Sequence, residues 1–366
     1  MLRNKSILIL SSTEGHLSIA DAIKSGLEAN GYTNLHLEVE DSAIFPYVLY
    51  YRYAPWLHQV VDIFLGSKPV SKVVRKLMER TYRTKTESFI QKHRPEIVMS
   101  TNYAFNSSLE PYVAQKKFRM YSVVCDPRSF IYVNIALEQI PNLAFDDIQA
   151  EQIVAAYPDA NTHSTGWFVR PEFYPPKSIE KAKDAVGLNP EKLSVLVVAG
   201  SEGMQRIQDT VSALVRSGEH LSIVVACGKN SLLRQAVELI AKTNQHQHVS
   251  VVALPFTQDI AAYFRAADVI MGKAGPNMLF EATACHKPFI ATTSLKGQEE
   301  GNLQLIHEFG LGFVQTNPRK AAQIVVELAK NPELLVAMLP KIKKMAQYNA
   351  GAVGRLVALM EKSGDG

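Results

Sequence analysis

The chain has 366 residues, of which 47% are hydrophobic and 20% charged, the balance of a globular protein with a sizeable core rather than of a disordered or fibrous one. At ~100 to 200 residues per domain this length predicts two domains with room for a cleft, and no apolar run approaches the ~18 residues of a membrane-spanning helix. The net charge of +4 says little by itself, while three cysteines without a C-x-x-C spacing exclude a disulfide framework or a thiolate metal site and fit a reducing cytoplasm.

The first buried-strand pattern is SILIL (6–10), and its four apolar residues are too few for a signal-peptide core, so export is not expected. SSTEGHLSIADAIK (11–24) then opens a helix over residues 16–30, stopped by Gly31. His16 stands at its start, two residues after Glu14. It reads either as a helix-start residue or, at the carboxyl end of a strand facing the cleft, as a proton acceptor. LHLEV (35–39) is the next strand. An aromatic block follows at 43–66, with Phe45, Tyr47, Tyr50, Tyr51, Tyr53, Trp56 and Phe64. Between residues 66 and 94 come nine basic residues, among them Lys72, Arg75, Lys76 and Arg80, against two acidic ones, a local +7 that leaves about −3 for the rest. Aromatic then basic reads as a surface touching anionic lipid, or as a core helix followed by a solvated basic one. No nucleic-acid-binding motif accompanies the patch.

EIVMS (96–100), RMYSVV (119–124) and NLAF (142–145) continue the β/α alternation. RPEFYPPKS (170–178), with three prolines and no periodicity, is the linker candidate, dividing the chain near residue 172 into domains of 1–172 and 173–345. In the second domain SVLVVA (194–199), LSIVVA (221–226), VSVVAL (249–254), DVIMG (268–272), PFIAT (288–292) and GFVQT (312–316) alternate with helical segments. Near-continuous apolar strands predict an α/β protein with parallel sheets covered on both faces. A last helix over about residues 350–362 has no strand after it, and residues 346–366 are expected to pack back on the first domain.

Open parallel sheets bind ligands at the carboxyl ends of their strands. AGSEGMQ (199–205) supplies glycines before a helix but lacks a full G-x-G-x-x-G. No acidic residue ends the next strand, which disfavours a dinucleotide. In KAGPNMLFEATA (273–284), Gly275 permits close approach, Pro276 suits the first helical position, and the helix N-terminus presents amides to a phosphate. Glu281, in the second turn, stands where a carboxylate reaches a ribose diol; the alternative is a cap with a surface glutamate. SLKGQEEGNLQLI (294–306) gathers Gln298, Glu299, Glu300 and Asn302 among glycines, donors and acceptors suited to sugar hydroxyls, or else a solvated turn opening a helix.

These residues resemble the inverting, GT-B-fold glycosyltransferases that include monogalactosyldiacylglycerol synthase, the processive diacylglycerol glucosyltransferases and the peptidoglycan N-acetylglucosaminyltransferase. VACGKN (225–230), LPFTQDIAAYFRAADVIMGKAGPNMLFEA (254–282) and GQEEGN (297–302) follow the diacylglycerol branch in order. EGHLSIADAIKSGL (14–27), FPYVLYYRYAPW (45–56), RPEIVMSTN (94–102) and STGWFVRPEFY (164–174) match more loosely. The resemblance implies two Rossmann-like domains facing a cleft, a UDP-sugar donor, a lipid acceptor such as diacylglycerol and no cofactor, and no D-x-D stands in a cleft loop to argue for a bound metal. It places Gly200, Ser201 and Gly203 beside the diphosphate, Phe256 near uracil, Gly275, Pro276 and Asn277 on the phosphates and Glu281 on the ribose. Gln298 and Glu299, with Asn302, would read the sugar. His16 matches the catalytic base and Asp126 an acid near the acceptor, with Glu14 orienting the base or replacing it. Residues 45–94, with Trp56 and the basic side chains, would dock on the inner face of the cell membrane. Here Ser11, Ser12, Thr13 and Glu14 replace the family's glycine-rich first loop, and Lys296 stands where a proline is usual. The competing readings are a UDP-sugar 2-epimerase and a sugar-nucleotide-binding protein that no longer catalyses; donor sugar and oligomeric state stay open.

Overall fold

The computed structural model describes residues 2–13, 15–40, 67–137, 139–175, 178–199, 203–294 and 299–362. Glu14, Trp56, Gly200, Ser201 and Gln298 lie outside the described residues. The chain divides into two compact units, one of residues 1–171, 296–301 and 349–366, the other of residues 172–295 and 302–348.

In the first unit, β1 (Ile7–Ser11), α1 (Gly15–Ala29), β2 (Leu35–Val39), α2 (Lys68–His93), β3 (Ile97–Ser100), α3 (Asn106–Ala114), β4 (Arg119–Val123), β5 (Asn142–Ala144), α4 (Asp147–Ala156) and β6 (Thr162–Ser164) build one sheet. Its strands are parallel in the order β2-β1-β3-β4-β5-β6. Every residue of β1 and β3 is buried, as a strand covered on both faces requires. α1 presents Ile19, Ala20, Ile23 and Leu27 to that sheet, one apolar stripe of a 3.6-residue period. Fully burying each large aliphatic side chain of this kind contributes ~1.5 to 3 kcal/mol. α1 gives way at Gly31, whose φ of +84° a residue with a Cβ rarely adopts. On the other face, α2, the short turn Tyr103–Phe105 and α3 pack Met78, Tyr82, Phe105 and Leu109 against Leu8, Val98 and Met120.

In the second unit, α5 (Ile179–Ala185), β7 (Leu193–Val198), α6 (Met204–Arg216), β8 (Leu221–Gly228), α7 (Ser231–Thr243), β9 (Ser250–Pro255), α8 (Ile260–Ala266), β10 (Val269–Lys273), α9 (Pro276–Ala284), β11 (Phe289–Thr293), α10 (Glu300–Phe309), β12 (Gly312–Val314), α11 (Pro318–Lys330) and α12 (Glu333–Ala350) follow. Its sheet is also parallel, in the order β12-β11-β10-β7-β8-β9. α6 buries Ile207, Thr210, Val211, Leu214 and Val215 and packs beside α11, which buries Ala321, Ala322, Val325 and Leu328. Where β12 runs along β11, a Cβ on Gly312 would overlap the Phe289 carbonyl, so only glycine fits.

The last helix, α13 (Ala352–Lys362), belongs to the first unit and packs on α1. A Cβ on Gly26 would overlap the Val353 side chain, so a glycine in α1 lets the two helices meet. Arg119 Nη1 donates to Met360 O at 3.0 Å, Arg355 Nε to Thr165 O at 2.8 Å, and Trp167 N to Asn349 Oδ1 at 2.9 Å.

Candidate active site

Strand order reverses beside β1 in the first unit, because β2 lies on one side and β3 on the other; ligands of open parallel sheets bind at the carboxyl ends of such a pair. The residues there are polar although buried, and they satisfy one another by hydrogen bonds. His16, the second residue of α1 and half-buried, places Nδ1 2.6 Å from Thr101 O. A carbonyl can only accept, so in the neutral ring Nδ1 carries the proton and Nε2 the lone pair. Thr101 Oγ1 donates to Ser11 Oγ at 2.9 Å, Ser11 Oγ to Ser12 O at 2.9 Å, and Asn102 Nδ2 to Ser12 Oγ at 2.7 Å. Cys125 Sγ also donates to Thr101 O, at 2.9 Å. Burial and the neighbouring Asp126 carboxylate push the Cys125 thiol well above its ordinary pKa, so it stays protonated as this bond demands.

The Thr101 carbonyl thus meets both His16, the expected base, and Cys125, the residue before Asp126. Asp126 is buried, and its main-chain carbonyl accepts from Ser129 N at 3.3 Å and Gln149 Nε2 at 2.8 Å. Glu299, one of the expected sugar readers, is buried in the same unit, where Gly301 N donates to Ser129 Oγ at 3.2 Å. Reading the sequence missed Thr101; the one signal is the change from apolar to polar residues at Ser100, Thr101 and Asn102.

In the second unit the order reverses between β7 and β10, and each is followed by a helix. Gly203 caps α6 and Gly275 caps α9, both with extended backbone. Two helix N-termini therefore follow the carboxyl ends of adjacent strands, where their unpaired amides and dipoles suit a diphosphate. Pro276 takes the first position of α9, where its missing N–H costs nothing; Asn277 comes next, and Glu281 stands half-buried one turn on. The turn before α9 is fixed by Ala274 N donating to Thr293 O at 2.8 Å and by Asn302 Nδ2 donating to Ala274 O at 2.8 Å. Asn302, expected beside the sugar, is fully buried, and its Nδ2 holds the carbonyl of the turn before α9.

Arg206, in the first turn of α6, donates to the carbonyls of Thr292 and Thr316 and so ties the ends of β11 and β12; the sequence reading overlooked it. Beyond β9, Phe256 is 58% exposed, with Lys229 Nζ 5.3 Å from its ring centroid. The remaining thiols are structural: burial pushes Cys227 to about 11 and Cys285 to about 12, too high to supply a thiolate at neutral pH.

On α2, Lys72, Lys76 and Arg80 are exposed as expected, together with Val73 at 70% and Leu77 at 50%. Arg75 is a correction to the sequence reading. It is 6% exposed, ion-paired to Glu110 of α3 and donating to Ile135 O at 2.8 Å, so its charge is spent inside the unit. Among the described residues no helix is long and apolar enough to cross a membrane.

Residues 194–351 match the glycosyltransferase family 28 C-terminal domain. The processive diacylglycerol beta-glucosyltransferase of Bacillus pumilus is 25% identical over 364 residues, covering 94% of this chain and 92% of its own. Monogalactosyldiacylglycerol synthase 3 of Arabidopsis thaliana is 23% identical over 382 residues, covering 95% of this chain and 79% of its own. Among solved structures, MurG of Acinetobacter baumannii superposes with a TM-score of 0.61 at 14% identity, covering 98% of this chain and 99% of that one, a likeness of fold. Two Rossmann-like sheets, a family 28 C-terminal domain and relatives that are sugar transferases along nearly the whole chain make this protein a glycosyltransferase of the GT-B fold, related to the diacylglycerol glycosyltransferases.

Proposed function

We propose that the protein transfers a hexose from a UDP-sugar to the free hydroxyl of diacylglycerol, at a membrane surface, with inversion at the anomeric carbon and without a metal. The observation that carries this reading is the pair of helix N-termini, α6 and α9, that follow adjacent strands at the strand-order reversal, with Glu281 one turn along. The diphosphate would take the amides around Gly203, Gly275 and Asn277, with Gly200 and Ser201 completing the loop. Glu281 would accept from the ribose diol. Adjacent strands lie ~4.8 Å apart, so the end of β9 is ~10 Å from that of β7, about the reach from a diphosphate to its base, which supports a contact between Phe256 and uracil. Gln298 and Glu299 would read the donor sugar.

His16 would take the acceptor proton. As Nε2 gains it, the hydroxyl oxygen bonds to the anomeric carbon from the face opposite the phosphate, the carbon–oxygen bond to UDP breaks, and the configuration inverts. UDP departs with the negative charge, which helix N-termini stabilise by ~0.3 to 2 kcal/mol each. Asp126 would stand near the acceptor. The exposed basic and apolar residues of α2 support a bilayer-facing role, and transferase relatives along the chain favour this reading over an epimerase or an inactive binder.

The test incubates the protein with UDP-glucose, UDP-galactose or UDP-N-acetylglucosamine and liposomes containing diacylglycerol and an anionic phospholipid, with and without a chelator. A β-linked glycolipid, identified by mass spectrometry and proton NMR and formed equally in chelator, is the expected result. Conversion of a UDP-sugar to its 2-epimer, or no glycolipid from any of the three, overturns the proposal.

A further inference from the structure

We infer that Thr101 is a positioning residue for His16, its main-chain carbonyl holding the imidazole in the Nδ1–H form that leaves the lone pair on Nε2. The inference rests on the reading of His16 as the base and goes further, because it says what makes that histidine a base rather than a hydrogen-bond donor. A neutral imidazole has two tautomers, and only one presents an acceptor at a given nitrogen. The 2.6 Å contact between Nδ1 and Thr101 O selects it.

For a carbonyl to do this it must be held still, and Thr101 is held on every side. The residue is fully buried. Its N–H donates to Leu10 O at 3.0 Å, which joins the end of β3 to the end of β1. Its hydroxyl donates to Ser11 Oγ at 2.9 Å, and that oxygen is available because Ser11 spends its own proton on Ser12 O. Asn102, the next residue, is tied to Ser12 Oγ at 2.7 Å and accepts from Ala104 N at 2.9 Å. The second lone pair of the carbonyl takes the Cys125 thiol at 2.9 Å. A carbonyl with two donors set at fixed positions has little freedom to turn away from either. Strands β1, β3 and β4 thus converge on one oxygen, and α1 delivers the ring to it.

The experiment measures the tautomer directly. In protein labelled with ¹⁵N-histidine, the His16 ring shifts, assigned by comparison with His16→Ala, are expected to show a protonated Nδ1 and an unprotonated Nε2 at pH above the histidine titration. Thr101→Val, which keeps the shape but loses the hydroxyl, is expected to move those shifts toward the tautomeric average and to lower kcat roughly ten- to a hundred-fold at unchanged KM for the UDP-sugar. Thr101→Ser is expected to restore both. A wild-type spectrum with the proton on Nε2 overturns the inference, and needs no variant to fold. So does a Thr101→Val enzyme whose spectrum and kcat match the wild type. Near-normal turnover in His16→Ala instead removes the base reading and, with it, the catalytic purpose of the arrangement, whereas the spectra judge the tautomer separately.

Discussion

At the scale of single residues, the side chains that carry the proposed chemistry are few and differ in how they work. Glu281 acts through charge, and Glu281→Gln is expected to weaken UDP binding by roughly ten-fold or more, the loss of a charge-assisted hydrogen bond of ~1.5 to 3 kcal/mol, with the fold intact. Isothermal calorimetry checks this, and unchanged affinity removes Glu281 from the ribose. Asn302 acts through position, since its amide holds the Ala274 carbonyl just before the helix proposed to meet the phosphates. This contrast explains what a sequence shows of a site. Glu281 and His16 stand out in the sequence because the functions proposed for them reside in ionisable side chains placed after apolar strands. Thr101 was not, because what it offers His16 is a main-chain carbonyl that every residue possesses. Arg75 was read as surface charge because its partner Glu110 lies 35 residues away on another helix, and composition counts charges without pairing them.

Among the elements, the long apolar strands were legible because burial on both faces makes them nearly continuous runs of apolar residues; SILIL becomes β1 and LSIVVA becomes β8. The edge strand β6 was not, being the three residues Thr162–Ser164, held by main-chain pairing to β5 without an apolar pattern. α2 is the element whose two faces the structure separates. Replacing Lys72, Lys76 and Arg80 with glutamine is expected to weaken binding to anionic vesicles by up to ~1 kcal/mol per residue, and Val73→Glu with Leu77→Glu to weaken it further. Vesicle sedimentation indifferent to both sets, and to salt, makes α2 a solvated helix. At its other end α2 meets β2: the His36 and His93 rings stack 4.3 Å apart, and Glu38 accepts from His93 Nε2 at 2.6 Å and Lys92 Nζ at 2.7 Å. Burial, then the neighbouring His93, holds His36 below its ordinary 6.5. Burial alone would raise Glu38, but the bonds from Lys92 and His93 outweigh it and hold the carboxyl below 4.5. Below pH 6.5 the unfolded chain therefore binds more protons at His36 than the folded one, and stability falls with pH; Glu38 adds to the loss below pH 4.5. Urea midpoints are expected to drop between pH 7 and pH 5, and His36→Phe to flatten that drop.

For the whole molecule, the decisive fact is that the first unit is not continuous in sequence. Removing residues 349–366 strips away Ala352, Leu356 and Met360, all fully buried, and the bonds to Arg119 and Trp167. At ~2 to 5 kcal/mol for each large side chain lost from a core, this is comparable to the whole stability of a domain. Hydrogen exchange is expected to show α1 and β4 unprotected in the truncated chain while β7, β8 and β10 keep their protection; equal protection in both proteins would sink the idea. The same discontinuity also sets an order in time. A ribosome releases β1, α1 and β3 first, yet the helix that covers α1 is separated from Pro171 by about 180 residues. At ~5 to 20 residues per second, roughly ten to forty seconds pass before that helix is made. Throughout this interval the nascent first unit carries an uncovered groove at Gly26, and the unit translated earliest is the one completed last.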